Sequence, residues 1–589
     1  MARLSGLAAP MSHVGDLPHR NRKRFTRFFP AAFLLLAVMS LLGGFLHPPN
    51  NLDSLIYRLP RVCHWLMAEQ WEWIPTVKNN LNTRSTGIEW WSAPFIAILR
   101  TDRLLFLINW VSFLFLPGLI FSLFLHLGVR RRVAAAWMWL LPTGYCLVLQ
   151  AASVGNDMLA AFFAVAAFDF GFRWRRTGAY PAFALAIAAA GMMTAIKPTT
   201  LPLLLPFAVF FLGMWKPAFS KPLNTAVLAV CFSLASFLPT SVINIRHCGD
   251  WTGAAAEDRM LGSVIPHIGI ATNLVNSLIQ NVAPPIFPMA GTWNQWVRNA
   301  APDAWITANL KCFEESGALF ALPDFQGEEL SGIGFGIAWL VILSWIMCLF
   351  VKRSTPPRPT AVDLFRGRWA LAALLFTIAL LAYFSRAGMS TVGRHIAPYY
   401  PFLLALALCG SAQVSVVRSR AWQFAAACVM ISTLAFVVIV PSRPLWPART
   451  LLRNVSEGSP RILLRAKTGY GVYSNRADGL GVLRDALPPD TWSVGYLSHG
   501  VSPELPLWKP YMKRRLRHLA FDETPEVLRA ENISHLILNT QNFEKGRGVD
   551  PESWVRRHGG IVKERLKLQL LAQEPPREWW IVELPASLP

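Results

Sequence analysis

At 589 residues, 53% hydrophobic and only 15% charged, with a mean hydropathy of +0.36, the chain is too apolar for a soluble enzyme, whose domains carry about 25% charged residues. Its formal charge of +22 would suggest nucleic acid in a soluble protein. Among apolar spans that charge is expected in loops and against anionic lipid headgroups or phosphates, so membrane lipids are expected partners and nucleic acid is not.

Residues 1–28 form a basic tail (Arg20, Arg22, Lys23, Arg24, Arg27) followed by a span without an Ala-x-Ala cleavage pattern, which reads as an uncleaved anchor with its N-terminus in the cytoplasm. Apolar segments then fall near 29–47, 104–127, 133–151, 158–173, 179–195, 200–215, 223–244, 332–351, 369–385, 396–415 and 421–441. The prediction is a polytopic α-helical membrane protein with about eleven transmembrane helices. Lys and Arg alternate between its loops: Arg130–Arg132, Arg173/Arg175/Arg176, Lys216/Lys221, Lys352/Arg353/Arg358/Arg366/Arg368 and Arg418/Arg420 fall on the inner side. Short outer loops hold almost none, as orientation by positive charge requires. Lys197, Arg386 and Arg394 break that rule.

The membrane domain, 29–441, carries two outer loops, 48–103 and 245–331. The first is predicted to hold a surface helix over Asp53–Gln70 and a second amphipathic piece over Ile88–Leu99 that is too short to span. Residues 442–589 read as a small extracytoplasmic α/β domain, long enough to bury a core of its own. Strands are expected at Trp492–Leu497, Ile533–Leu538, Ile561–Leu566 and Trp579–Leu584, and helices at Thr524–Glu531 and Pro551–His558. Of the eight cysteines, Cys248 and Cys312 share one outer loop, where a disulfide between them is one of two outcomes in an oxidising compartment.

The polar groups that could carry chemistry fall on one side of the membrane. They are Asp53, Tyr57, Arg58, Arg61, His64 and Glu89 in the first loop, Asn156-Asp157 in the turn before the fourth span, Lys197 after the fifth, and Arg394-His395 before the tenth. Carboxylates at membrane depth are costly and tend to mark function. A carboxylate takes a proton from an attacking hydroxyl or amine, while Lys and Arg neutralise a departing phosphate. Each residue also has a plainer reading. Asp53 and Asn156-Asp157 suit helix caps, Lys197 suits a snorkelling interface residue, and Arg394 suits a headgroup anchor. Tyr57, Arg61 and His64 recur at helical spacing and are expected to share a face with Asp53. For His64 a structural role competes with substrate contact, and for Glu89 an interfacial one. Gly332-Ile-Gly-Phe-Gly336 suits helix packing. No His/Cys cluster has structural zinc spacing, and no metal or other cofactor is expected.

In order along the chain, Asp53-Ser-Leu-Ile-Tyr57, Val154-Gly-Asn-Asp-Met158, Ala195-Ile-Lys-Pro198 and Gly393-Arg-His-Ile-Ala-Pro398 resemble short motifs of the GT-C membrane glycosyltransferases, in the protein O-mannosyltransferase and aminoarabinose transferase branches. The resemblance covers about 30–440 in layout. It implies a GT-C-like fold and a polyprenyl-phosphate-linked sugar donor. Asp53 would be the catalytic base or acceptor-orienting group and Asp157 its support, with Lys197, Arg394 and His395 at the donor phosphate. Tyr57, Arg58, Arg61, His64 and Glu89 remain as substrate-binding candidates. Ser54 stands where family members often have a second acid, which weakens the case for a divalent metal, and His395 stands where a tyrosine is commoner.

The leading expectation is therefore an inverting glycosyltransferase acting on a lipid, glycan or protein acceptor at the outer face of a bacterial inner membrane, the compartment following from the absence of retention or sorting signals. A flippase or transporter of lipid-linked saccharides is the alternative, although that class favours internal repeats and midplane charges. A non-catalytic assembly subunit is a third reading, favoured if the four motif residues lie far apart in the fold.

Overall fold

The apolar run of the first span forms helix α1 (His19–Leu46), and Pro48-Pro49, which cannot donate to a helix, follow its end. A computed structural model describes residues 19–212, 219–256, 265–300, 320–350, 362–388, 390–498, 502–541, 543, 549–570 and 576–585. Cys312 lies outside them, and so does the expected Cys248–Cys312 bridge, together with Lys216, Lys352, Arg353 and Arg358 of the basic loops.

Among the described residues three helices are long and apolar enough to cross a membrane, within Arg27–Leu46, Phe106–His126 and Arg420–Ile439. A fourth crossing is made if Pro222–Leu234 and Leu238–Cys248 act as one span bent by 50°. Shorter apolar helices add to these at Gly87–Leu99, Tyr180–Ile196, Pro198–Phe211, Phe335–Phe350 and Trp369–Phe384. Several expected spans are thus interrupted. The stretch 133–151 breaks at Leu141-Pro-Thr143 into a 3₁₀ turn, and 200–215 opens as a 3₁₀ turn over Pro198–Leu203, each at a proline that removes a backbone donor. The bundle core is strongly aromatic: Phe168 meets Phe402 edge-on at 4.7 Å, and Phe402 stacks on Phe376 at 4.5 Å.

Between α1 and the next long helix, the first outer loop folds as a π-helical turn (Ser54–Arg58), then α2 (Leu59–Ala68) and α3 (Gly87–Leu99). α5 (Asp157–Thr177) and α6 (Tyr180–Ile196) pack as an antiparallel pair behind α4 (Phe106–His126). α6 stops at Lys197 because Pro198 forces the preceding residue into extended backbone, φ −152° and ψ 116°. Gly87 lets the start of α3 approach that turn, since a Cβ there would lie 2.6 Å from the Ala195 carbonyl carbon and the Ile196 nitrogen.

The C-terminal sheet has strand order β2-β1-β3-β5-β4, with β1 (Ser493–Leu497), β2 (Arg515–His518), β3 (His535–Asn539), β4 (Ile561–Leu568) and β5 (Arg577–Glu583). β1 runs parallel to β2 and β3, while β5 runs antiparallel to β3 and β4. Four strands and two helices (Pro525–Ala530 and Pro551–Arg557) match the sequence pattern to within two residues at each end. The exception is β2, whose sequence Arg-Leu-Arg-His holds one aliphatic residue. Because side chains alternate along a strand, the sheet buries two faces. Leu536, Leu538, Trp580 and Val582 pack under the two helices. Val494, Tyr496, Leu516, Ile537 and Trp579 share a core with Leu55, Leu59, Val62 and Ile88 of the first loop. The C-terminal sheet is therefore docked on the loop that carries Asp53.

Candidate functional site

Asp53 precedes the π turn, and its carboxylate makes no capping bond. Asn51 caps the turn instead, its Oδ1 accepting from the Ser54 amide at 3.2 Å and from Arg58 Nη1 at 3.3 Å. The Asp53 carboxylate is left for cations. Its Oδ2 accepts from Arg58 Nη2 at 3.1 Å and from both terminal nitrogens of Arg394 at 3.3 Å. Its side chain remains 27% exposed, so it is neutralised but not sealed. Burial pushes the carboxyl up, yet Arg394, Arg58, Lys197 and Arg84 outweigh it and hold the group down at about 2.

Asp157 lies opposite, fully buried at the first residue of α5, and contacts Lys197 through Oδ1. Its Oδ2 accepts from Gln150 Nε2 at 2.5 Å and stands 3.7 Å from Arg394 Nη1. Gln150 also caps α5, since its Oε1 accepts from the Asp157 and Met158 amides at 2.9 and 3.1 Å. Asn156 ties the elements together, accepting from Arg58 Nη2 at 2.9 Å and donating to the Ile196 carbonyl at 3.0 Å. The Arg394 turn is pinned in the same way. Gln280 accepts from the Gly393 amide at 2.7 Å, Tyr400 donates to the Gly393 carbonyl at 2.9 Å, and Thr199 donates to the His395 carbonyl at 3.2 Å.

Residues 53, 58, 157, 197 and 394 therefore converge. Three basic side chains meet two carboxylates, and Arg84 adds positive potential at Asp53; burial, then Arg394 and Arg58, pushes the Lys197 ammonium well below its ordinary value. His395 is buried beside them with both ring nitrogens lacking a hydrogen-bond partner among the described residues. Burial, then Lys197 and Arg394, pushes its imidazole well below the ordinary value, so it is neutral there. A site with basic side chains in excess, two of them guanidiniums, and an unpartnered neutral imidazole is suited to an anion such as phosphate.

The other first-loop candidates divide. The expected common face of Asp53, Tyr57, Arg61 and His64 is not formed, because the intervening turn bonds i to i+5 (Leu59 amide to Ser54 carbonyl) and shifts the helical phase. Asp53 consequently meets Arg58, while Tyr57 turns half-buried between the guanidiniums of Arg58 and Arg61, 5.4 and 5.7 Å from its ring centre. Arg61 and Glu89 are removed from a substrate surface: they pair at 2.9 Å with side chains 0 and 1% exposed. Burial raises the Glu89 carboxyl, and Arg61 opposes it. His64 faces the C-terminal sheet, with its ring 4.6 Å from Trp508 and its Nε2 3.9 Å from Glu504.

Several supporting residues escaped the sequence reading. Gln150 ends an otherwise apolar run, Leu147-Val-Leu, and a lone amide there was the available signal. Glu328 and Glu329 gave only a local acidic pair. Glu328 bonds Asn51 Nδ2 at 3.0 Å and Arg443 Nη2 at 2.9 Å, and Glu329 accepts from the Leu52 amide at 2.6 Å and from Arg476 at 3.3 Å. This network fixes the residues immediately before Asp53.

No protein-family model matches the chain, and no curated protein matches it. Among solved structures it is similar to ArnT from Cupriavidus metallidurans bound to undecaprenyl phosphate, at 14% identity over 95% of this chain and 98% of that one, with a TM-score of 0.45. It is similar to the same protein in the apo state at 12% identity, over 93% and 97% of the two chains, with a TM-score of 0.39. It is also similar to the apo oligosaccharyltransferase of Archaeoglobus fulgidus at 11% identity, over 89% and 71%, with a TM-score of 0.41.

Proposed function

We propose that the chain is a membrane glycosyltransferase that moves one sugar from a polyprenyl-phosphate carrier to an acceptor, with inversion at the anomeric carbon. The observation that carries this reading is the meeting of Asp53, Asp157, Lys197 and Arg394 from four separated segments, with Arg58 as a third basic side chain. In the proposed step the acceptor hydroxyl or amine gives its proton to Asp53 and its lone pair attacks the anomeric carbon. The bond from that carbon to the phosphate oxygen breaks on the opposite side, and the electron pair leaves on the lipid phosphate. Lys197, Arg394 and Arg58 balance the charge that develops, and neutral His395 donates a ring N–H to a phosphate oxygen. Asp157 holds Lys197 and Arg394 in register.

A carboxyl held at about 2 is a poor base. Donor binding remedies this within the proposal, since a phosphate engaging Arg394 draws that guanidinium from Asp53 Oδ2 and raises the carboxylate's basicity. The base is thus strengthened when the donor is in place. The acceptor approaches from the exposed side of Asp53, beside Tyr57.

Membranes containing the chain, supplied with labelled polyprenyl-phosphate sugar and an acceptor extract, test the reading through Asp53→Asn. The expected result is loss of transfer with normal protein abundance, and undiminished transfer would reject the base assignment. The bent helix pair Pro222–Leu234 and Leu238–Cys248 favours a flippase as the second reading. Movement of label across sealed vesicles without any covalent product would support that reading instead.

A further inference from the structure

A second polar cluster lies where the first loop meets the C-terminal sheet, and glycosyl transfer does not use it. His64 projects from α2, Glu504 precedes a short 3₁₀ turn (Leu505–Trp508), and His518 ends β2. One ligand atom from each lies within 4.8 Å of the other two. We propose that His64, Glu504 and His518 bind one divalent transition-metal ion of the zinc type, which fastens the first loop to the C-terminal sheet.

The donor set is suitable, two imidazoles and one carboxylate. With bonds of about 2.0–2.1 Å, neighbouring ligand atoms of a tetrahedral zinc stand about 3.3 Å apart. His518 Nε2 is already 3.2 Å from Glu504 Oε1, and His64 Nε2 is 3.9 Å from the same oxygen. His64 needs to close by about 0.6 Å, within the reach of a rotamer adjustment. Its Nε2 is buried and has no hydrogen-bond partner among the described residues.

A supporting shell is present. His518 Nδ1 lies 2.8 Å from Thr76 Oγ1, which also accepts from the Lys78 amide at 2.9 Å. With Nδ1–H donating to that hydroxyl, Nε2 presents its lone pair to a metal, as outer partners of ligating histidines do. Of the two Glu504 oxygens, Oε2 is 2.8 Å from Lys78 Nζ and 3.1 Å from His518 Nε2, while Oε1 lies toward both His518 and His64. Lys78 therefore competes for the carboxylate without filling the His64 side. The ligands stand 440 and 14 positions apart in the chain, so no local spacing announces them.

The test uses the full chain in detergent, purified without a polyhistidine tag, stripped with chelator and titrated with zinc chloride. Bound zinc is counted by elemental analysis, and its ligands are read by X-ray absorption. The expected result is one zinc per chain with nitrogen and oxygen neighbours, lost in His64→Gln and in His518→Gln. Zinc binding that is absent in the wild type, or equal in both variants, overturns the proposal. If those variants fail to fold, Lys78→Met decides. Removing the competing charge should lower the zinc dissociation constant by about tenfold, whereas an ion-pair clamp without a metal role predicts unchanged or lost binding.

Discussion

Two charged groupings stand side by side in the first loop, and they are built on opposite principles. Arg61 and Glu89 form a one-to-one pair that is entirely sealed. The cluster around Asp53 sets three basic side chains against two carboxylates, and Asp53 keeps part of its surface open. A sealed pair is balanced in charge, although Arg61 Nε and Glu89 Oε2 find no hydrogen-bond partner among the described residues, and breaking it is felt as instability. An open and overcharged cluster is incomplete without another anion, which separates scaffold from site where sequence alone grouped the residues together.

Substitutions can break that comparison, and Asp53→Asn should have the largest effect on turnover. The variant keeps the shape and removes the proton acceptor, so transfer per folded molecule should fall by about 10²–10⁴-fold in initial rate, with a melting temperature lowered only by the loss of the Asp53 ion pairs. Lys197→Met and Arg394→Met should each cost about 10²–10³-fold in kcat/KM for the lipid donor, and the double variant should cost less than the product of the two, because both act on one phosphate. Arg61→Met should leave turnover per folded molecule near that of the wild type but destabilise by about 3–5 kcal/mol, through the uncompensated charge left on Glu89. Replacing both partners of the pair by apolar residues should recover much of that loss.

A smaller effect sharpens the comparison through pH. With Asp53 held at about 2, the acid limb of kcat/KM should not arise from this group anywhere near neutrality. Removing the guanidinium in Arg394→Gln raises the carboxyl, so the acid limb should move to higher pH. The stability contributed by the ion pairs of Asp53 follows the same sign. It is present above the unfolded carboxyl value of about 3.9 and is lost as pH falls toward 2.

The sequence carried much of this arrangement and hid its phase. Unbroken apolar runs within Ile533–Leu538 and Trp579–Leu584 were enough to find central strands, because these segments are buried on both faces of the sheet. β2 was hidden because Arg515, Arg517 and His518 answer to partners elsewhere: Arg517 pairs with Glu531 at 2.9 Å, and His518 faces Glu504. Asp53, Asp157, Lys197 and Arg394 were legible because ionisable residues at the ends of apolar spans are rare. The π turn was not legible, since nothing in Ser-Leu-Ile-Tyr-Arg distinguishes a five-residue from a four-residue repeat, and that single step takes Asp53 out of phase with Arg61 and His64 of α2 while Tyr57 stays against Arg61. The Glu328–Arg443 contact joins residues 115 positions apart and leaves no local trace.

Binding of undecaprenyl phosphate, measured separately from sugar transfer in the same preparations, bears most directly on the division of labour within the cluster. Asp53→Asn should hold the lipid phosphate at least as tightly as the parent chain while failing to transfer, because a competing anion has been removed. Lys197→Met and Arg394→Met should lose the lipid. If Asp53→Asn instead loses the lipid and still transfers sugar at the parental rate when the donor saturates, the carboxylate is not the base and the account is contradicted.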